Sequence, residues 1–460
     1  MRDLQSHVQR RFKLSVVLSI AAKLSASILQ LISIPIAIKS LGIDGYATFA
    51  VLFAASLAPQ VFTLRHGPVL TGPIATLYVG GRWNDISARL WSAFFASLIT
   101  VVISVIAVLA FYFHGYFAAP TPSAGMDESD ILKTLVALSA MHLMYPLLLV
   151  FEDAQAALHE SHLQGLRIAI GNFGAIIAMA FLLPSKSSLL MYATALVLPP
   201  FAVRVANVVI FLIRYPQLRL TRGSSPVATI FKAMRTGLMF TAVAGIGSYA
   251  SNQLPVIAAA MFLNSSQTAS VAVIQQLTLI AFAFGSVIIV GFLPALNSSL
   301  AAGDKDWVKE WLTKIDKAFF WIGIPGVVLF VTIGEPLHNY LLKEDLAIPR
   351  ESMLFAGVYA VLTIAENFYF LLASSMRLST RASFLFVARA ALTGAVAFLS
   401  CAIGYAPMIW LGASILTLCI TVLEYRSMVW AYVKNFKTIE LPRIPESVSL
   451  CLNDSFGPNK

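Results

Sequence analysis

The chain has 460 residues, of which 58% are hydrophobic and only 12% are charged, and its mean hydropathy is +0.80. Soluble domains carry about 25% charged residues, so this composition excludes soluble enzymes, disordered chains and fibrous repeats. The net charge of +10 would suggest a nucleic-acid partner in a soluble chain, but in a polytopic membrane protein it indicates basic cytoplasmic loops and no nucleic acid.

Twelve apolar stretches are long enough to cross a bilayer, which needs about 20 residues per helix. In chain order they are 14–38, 46–64, 90–113, 131–150, 165–183, 188–213, 236–262, 268–296, 318–341, 352–373, 384–404 and 407–430. A cytoplasmic N-terminus places 24 of the 32 Lys and Arg residues on the cytoplasmic side and four on the other side. The sequence therefore predicts an all-α protein with twelve transmembrane helices and both termini in the cytoplasm.

A basic segment divides the predicted spans six and six. It has five Lys or Arg residues, no acidic residue and a Gly-Ser-Ser-Pro turn signal. The predicted organisation is an N-terminal six-helix lobe (1–213), a cytoplasmic basic linker (214–235), a C-terminal six-helix lobe (236–433) and a cytoplasmic tail (434–460). Similar residues in the two lobes, such as Arg167 and Arg389, are 222 positions apart, which indicates a parallel repeat. Substrate sites in transporters with such repeats lie between the repeats.

Ionisable side chains inside the spans mark candidate sites, because each costs about 2.5–3.5 kcal/mol on insertion scales. They are Lys23, Arg204, Glu366 and Arg389. Three cations against one anion predict a cavity that binds a negative group such as phosphate or pyrophosphate. These charged side chains have two alternative roles to substrate binding. One is to extend to the membrane surface (snorkelling), which is the expectation for Arg389, and the other is to form an ion pair. Pairing is the expectation for Glu366, whose other candidate role is to bind a coupling proton or cation.

Two predicted helix faces carry polar residues. In the first span, Lys23 lies near mid-membrane on a stripe that includes Gln30, and this stripe predicts a cavity wall. In the seventh span, Asn252 ends a similar face that is either a packing seam or a cavity wall. Arg204 follows two prolines, which a cavity wall tolerates. His142 is expected to be a satisfied core residue, and no metal site is predicted.

Two short segments carry a family resemblance. Residues 34–46 (IPIAIKSLGIDGY) and 291–296 (GFLPAL) resemble the first helix junction and the end of helix eight of the polysaccharide transporter family. That family belongs to a superfamily that also holds the multidrug and toxin extrusion (MATE) transporters. The resemblance implies two six-helix bundles around a cationic cavity, which Lys23 and Arg204, and more weakly Arg65, would line.

The resemblance also implies a function. The chain would be a flippase of the bacterial inner membrane that translocates a polyprenyl-pyrophosphate-linked oligosaccharide for O-antigen, capsule or exopolysaccharide assembly. It would work by alternating access, without a cofactor and without catalysing a reaction. Its other partners would be membrane lipid and a polysaccharide polymerase or chain-length regulator.

Two other functions stay open. One is a MATE-type cation-coupled antiporter, which would need embedded carboxylates, and the first lobe is expected to hold none at mid-span. The other is a polysaccharide polymerase or ligase, which would need a sizeable outer catalytic loop. The longest predicted outer loop, 114–130, has acids but no base, and no nucleophile–base pair is evident.

Overall fold

All regular structure in the described part of the chain is helical. The computed structural model describes residues 2–64, 66, 68–113, 127–158, 160–183, 187–219, 245, 247–301, 304–342, 350–375, 379–404 and 406–435. Most of the predicted linker 214–235, nearly all of the predicted tail 434–460 and the candidate Arg65 lie outside these residues. The predicted domain boundaries therefore stay predictions.

Six α-helices form the first part of the chain. They are α1 (Arg2–Leu57), α2 (Pro68–Val79), α3 (Trp83–Phe113), α4 (Glu128–Ala157), α5 (Ser161–Leu182) and α6 (Leu189–Arg214). A short 3-10 helix, Ala58–Phe62, follows α1 directly, and another, Pro216–Leu218, follows α6.

Seven α-helices follow in the second part. They are α7 (Ser248–Asn252), α8 (Leu254–Phe262), α9 (Ser265–Ala301), α10 (Lys305–Leu342), α11 (Arg350–Ser375), α12 (Ser379–Ala402) and α13 (Ala406–Asn435). Predicted span seven begins outside the described residues, and predicted span eight corresponds to α9.

Nine helices within the described residues are long and apolar enough to cross a membrane. The first of these segments, Val17–Val61, contains both predicted spans one and two. Large apolar side chains lie exposed on the outside of the protein, among them Phe181, Leu329 and Leu416. Exposed apolar surface on this scale is stable only against lipid, so the chain is a multi-pass membrane protein. The count of twelve spans stays a prediction.

The junction between predicted spans one and two lies inside α1. The backbone leaves the helical region only at Gly42, which has φ 75° and ψ 176°. A side chain is strained at this φ, so glycine is the residue that allows a sharp bend without a loop. The loop expected at 39–45 is therefore a single-residue break.

The predicted cytoplasmic segment 65–89 contains the apolar helix α2, which the sequence analysis missed. Leu70 and Ile74 are buried, and they share a core with residues of α3 and α4. This helix is only 12 residues long, which is too short to cross a bilayer. A 20-residue apolar stretch, the signal of a span, is therefore absent from it.

The helices pack as two groups that meet mainly along α1. Helices α1–α6 pack on one another, helices α7–α13 do the same, and α1 crosses between the groups by packing on α8 and α9. We call these groups the first and second bundles. One large hydrophobic core contains residues of both bundles, including Ile34, Val256 and Ile274. Two other cores, around Phe151 and around Leu312, each belong to one bundle. Within the described residues, the bundles share a hydrophobic core at one end, here called the joined end, and keep separate cores at the other, here called the unjoined end.

The closest packing in the first bundle joins α1 and α5. A Cβ added at Gly165 on α5 would lie 2.7 Å from the carbonyl oxygen of Leu18 on α1. Such a contact is well inside van der Waals distance, and backbone atoms cannot move aside as a flexible side chain can. Small residues at such crossings let transmembrane helices approach closely.

We therefore expect Gly165→Ala to lower the free energy of unfolding by about 1–3 kcal/mol, because α1 and α5 must separate. Thermal unfolding of the purified protein in detergent measures this change. The matched control is Gly326→Ala on α10, where nothing lies within 4 Å of an added Cβ. Equal melting temperatures for the two variants would contradict the close approach of α1 and α5.

Candidate functional site

A cavity of about 280 Å³ lies between the two bundles. Helices α1, α4 and α6 form its wall on one side, and α7, α8 and α9 form its wall on the other. Five aromatic side chains line it: Tyr46, Phe49, Phe53, Tyr145 and Phe201. Five amide side chains also line it: Gln30, Asn252, Gln253, Gln275 and Gln276. The site is therefore amphipathic, with flat apolar surfaces beside hydrogen-bonding groups.

Several polar atoms of this wall have no protein partner. Gln30 Oε1, Tyr46 OH and Gln275 Oε1 are buried and form no hydrogen bond within the described part of the chain. Buried polar atoms are normally hydrogen-bonded, so three unpartnered ones among the residues that line a cavity distinguish this wall from an ordinary core.

Arg204 places a charge at the cavity, as the sequence analysis predicted. Its Nη1 lies 2.7 Å and 2.8 Å from the two carboxylate oxygens of Glu152, and its Cζ lies 4.1 Å from the centre of the Tyr145 ring. Gln164 donates a further hydrogen bond to Glu152. The Arg204 side chain is only 14% exposed, so it does not snorkel to the membrane surface.

Glu152 was missed by the sequence analysis, and its position corrects the predicted charge balance. The predicted fourth span ended at residue 150, whereas α4 continues to Ala157 and buries Glu152. The first bundle therefore holds an embedded carboxylate, and the count of three cations against one anion is wrong. The seven-residue spacing from Tyr145 to Glu152 places both on one helix face, which is the signal that could have found it.

The second bundle contains another buried ion pair. Arg389 on α12 lies 2.9 Å from Glu366 on α11, and both side chains are almost fully buried. Thr421 on α13 donates a hydrogen bond to Glu366. The expected snorkelling of Arg389 is therefore wrong, and the expected pairing of Glu366 is observed. Neither residue lines the cavity, so substrate binding by Arg389 has no support from this geometry.

The other predicted site residues lie at different distances from the cavity. Gln30 and Asn252 line it together with Arg204. Lys23 is half-buried and does not line it. It lies seven residues before Gln30, about 10 Å along the same helix. The structure thus brings together three of the predicted substrate-binding residues, and their role in binding stays a prediction.

Removing one member of the Arg204–Glu152 pair should destabilise the protein. In Arg204→Leu, Glu152 stays buried without its cation, so we expect a loss of about 3–5 kcal/mol in the free energy of unfolding. The double variant Arg204→Leu, Glu152→Gln removes both charges and should recover much of that loss. Thermal unfolding in detergent compares them.

The matched control is Arg82→Leu, which breaks an exposed pair with Asp85 and should change stability little. A double variant no more stable than Arg204→Leu would show that the charge on Glu152 is not the cause of the loss.

No protein-family model matches the chain, and no curated protein matches it. Solved structures do. A multidrug resistance MATE family transporter of the MOP superfamily, in its inward-facing conformation, is 15% identical with a TM-score of 0.62, over 92% of this chain and 100% of that one. An outward-facing structure of such a transporter is 16% identical with a TM-score of 0.60, over 93% and 97%.

A third similar structure is a MOP superfamily transporter from Pyrococcus furiosus, whose binding pocket is described as having reverse polarity. It is 14% identical with a TM-score of 0.58, over 93% of this chain and 97% of that one. Likeness at this level of identity concerns the fold. The chain has the fold of MATE transporters along nearly its whole length, and it is a multi-pass membrane protein.

Proposed function

We propose that the chain is an alternating-access transporter, and that it acts as a MATE-type cation-coupled antiporter for an amphipathic solute. The observation that carries this proposal is the cavity between two bundles that share a hydrophobic core at one end and keep separate cores at the other. A solute can enter such a cavity from the unjoined end, and rocking of the bundles about α1 would expose it on the other side. The MATE fold supports this assignment over the other functions considered.

The wall chemistry supports an amphipathic solute. Aromatic rings such as Phe49 and Tyr145 offer apolar faces, and amide side chains such as Gln276 offer hydrogen-bonding groups. The charge on Arg204 is balanced by Glu152. Glu152, near the end of α4, gives the first bundle a buried carboxylate, which is the kind of group that an antiporter needs.

The orientation and the span count belong to the same proposal. With twelve spans and cytoplasmic termini, the joined end, which includes Ile34 and Val256, faces outward. The cavity then opens toward the cytoplasm, where an exported solute is loaded. Glu366 remains a candidate coupling residue, although its pairing with Arg389 away from the cavity favours a structural role.

A second candidate is the flippase for a polyprenyl-pyrophosphate-linked oligosaccharide in the bacterial inner membrane. One observation favours it: Arg204 is the one charged side chain on the cavity wall among the described residues. A pyrophosphate would take the place of Glu152 as the partner of Arg204. Lys23, on the same face of α1 as Gln30, would lie toward the unjoined end of the cavity. A polysaccharide polymerase or chain-length regulator would then be its functional partner.

Purified protein in proteoliposomes separates the two candidates. An antiporter should accumulate ethidium, an organic cation, when a proton or sodium gradient is imposed, and should not move a fluorescent prenyl-pyrophosphate-linked sugar between leaflets. A flippase should give the reverse result. Movement of neither probe would contradict both functions.

A cavity-blocking variant shows whether transport uses this site. Ala50 lines the cavity, so Ala50→Trp should reduce transport of the active probe by at least about tenfold by filling the space. Ala388 is exposed on α12, and Ala388→Trp should leave transport unchanged. Equal activity of the two variants would show that the solute takes another path.

A further inference from the structure

His142 on α4 is a titratable residue of the cavity wall with no assigned role. The sequence predicts a core histidine whose hydrogen bonds are satisfied, but only one of its two ring nitrogens has a hydrogen-bond partner in the described residues. Nδ1 lies 2.9 Å from the hydroxyl oxygen of Ser56, and the ring packs edge-on against Phe53. The amide of Gln60 donates to the main-chain carbonyl of His142. The ring is therefore held in one orientation by Phe53 and Ser56 near the end of α1, and Gln60 of the following 3-10 helix holds the main chain of His142.

The hydrogen bonds of Ser56 indicate which nitrogen carries the proton. A hydroxyl has one proton, and that of Ser56 is directed at the carbonyl oxygen of Phe53, 2.7 Å away. The Ser56 oxygen then accepts from Nδ1–H of His142. In a neutral ring this leaves the lone pair on Nε2, which forms no hydrogen bond within the described part of the chain. Nε2 is thus the basic nitrogen of a histidine that lines the cavity.

The other charged and titratable groups around this cavity come from three helices. Tyr46 lies on α1, Tyr145 on α4 and Arg204 on α6, with Glu152 behind Arg204. The second bundle contributes amides to the wall, which do not titrate. Because Arg204 is already neutralised, a proton on His142 would make the wall positive.

We propose that His142 is the proton-binding residue that couples this cavity to a proton gradient. A proton from cavity water adds to the lone pair of Nε2, and no other bond breaks. The added positive charge repels a cationic solute, so proton and solute occupy the cavity alternately. This inference rests on the proposed antiport function for its coupling, but the proton site itself does not depend on any solute.

The proton site is tested by solid-state NMR of proteoliposomes that contain protein labelled with ¹⁵N-histidine. The chain has seven histidines, and the spectrum of His142→Gln identifies the signal of His142. We expect an Nδ1–H tautomer at alkaline pH and proton uptake at Nε2 between about pH 9 and about pH 4. An Nε2–H tautomer, or a ring that stays neutral throughout this range, would overturn the proposal.

The coupling is tested by ethidium transport in the same proteoliposomes. His142→Gln should lose gradient-driven accumulation by at least about tenfold relative to its own ethidium exchange in the absence of a gradient. The control is His66→Gln, because His66 is buried against Ala93 and Ser97 and does not line the cavity. Accumulation by His142→Gln equal to that of the unchanged protein would overturn the coupling role. If the unchanged protein does not carry ethidium, the proposed function is contradicted, and the NMR titration still decides the proton site.

Discussion

The structure depends on one constraint: a charge inside a lipid bilayer must have a partner, because the hydrocarbon offers no water to solvate it. Within the described residues, each bundle contains a buried arginine–glutamate pair that meets this constraint. The Arg204–Glu152 pair joins α6 to α4 beside the cavity, and the Arg389–Glu366 pair joins α12 to α11 inside the second bundle. Breaking either pair would leave a buried charge, so these contacts fix which helices are neighbours. The first pair thereby also determines the shape and charge of the cavity wall.

The cavity exists because the bundles share a core at one end and keep separate cores at the other. Close packing through the whole interface would bury the amides of Gln30 and Gln275 against other protein groups. In the observed arrangement, both residues line a space large enough for a small solute, and an oxygen of each forms no hydrogen bond within the described residues. The α1 helix contacts both bundles, so it is the natural axis for a movement that opens one end and closes the other.

Composition and apolar runs were enough to predict an all-helical membrane protein, because crossing a bilayer imposes length and hydropathy on every span. Of the polar stripe predicted on α1, Gln30 lines the cavity and Lys23 does not, and Arg204, which follows two prolines, also lines it. The partners were harder to predict. Glu152 was missed because hydropathy ends a span at the first charge, while the helix continues. Its pairing with Arg204 depends on the lateral order of helices, which no single-helix periodicity encodes. The role of Nε2 of His142 depends on a hydrogen bond of Ser56, 86 residues away.

The most direct test of this account is a pair of distances measured by electron–electron double resonance, with the cysteines Cys401, Cys419 and Cys451 replaced. One label pair, at Arg82 and Lys314, reports the separate ends of the bundles, and the other, at Lys39 and Met261, reports the joined end; all four positions are exposed. Alternating access driven by proton binding to His142 predicts that a change from about pH 9 to about pH 4 shortens the first distance and lengthens the second. Two distances that stay the same at both pH values would contradict the account.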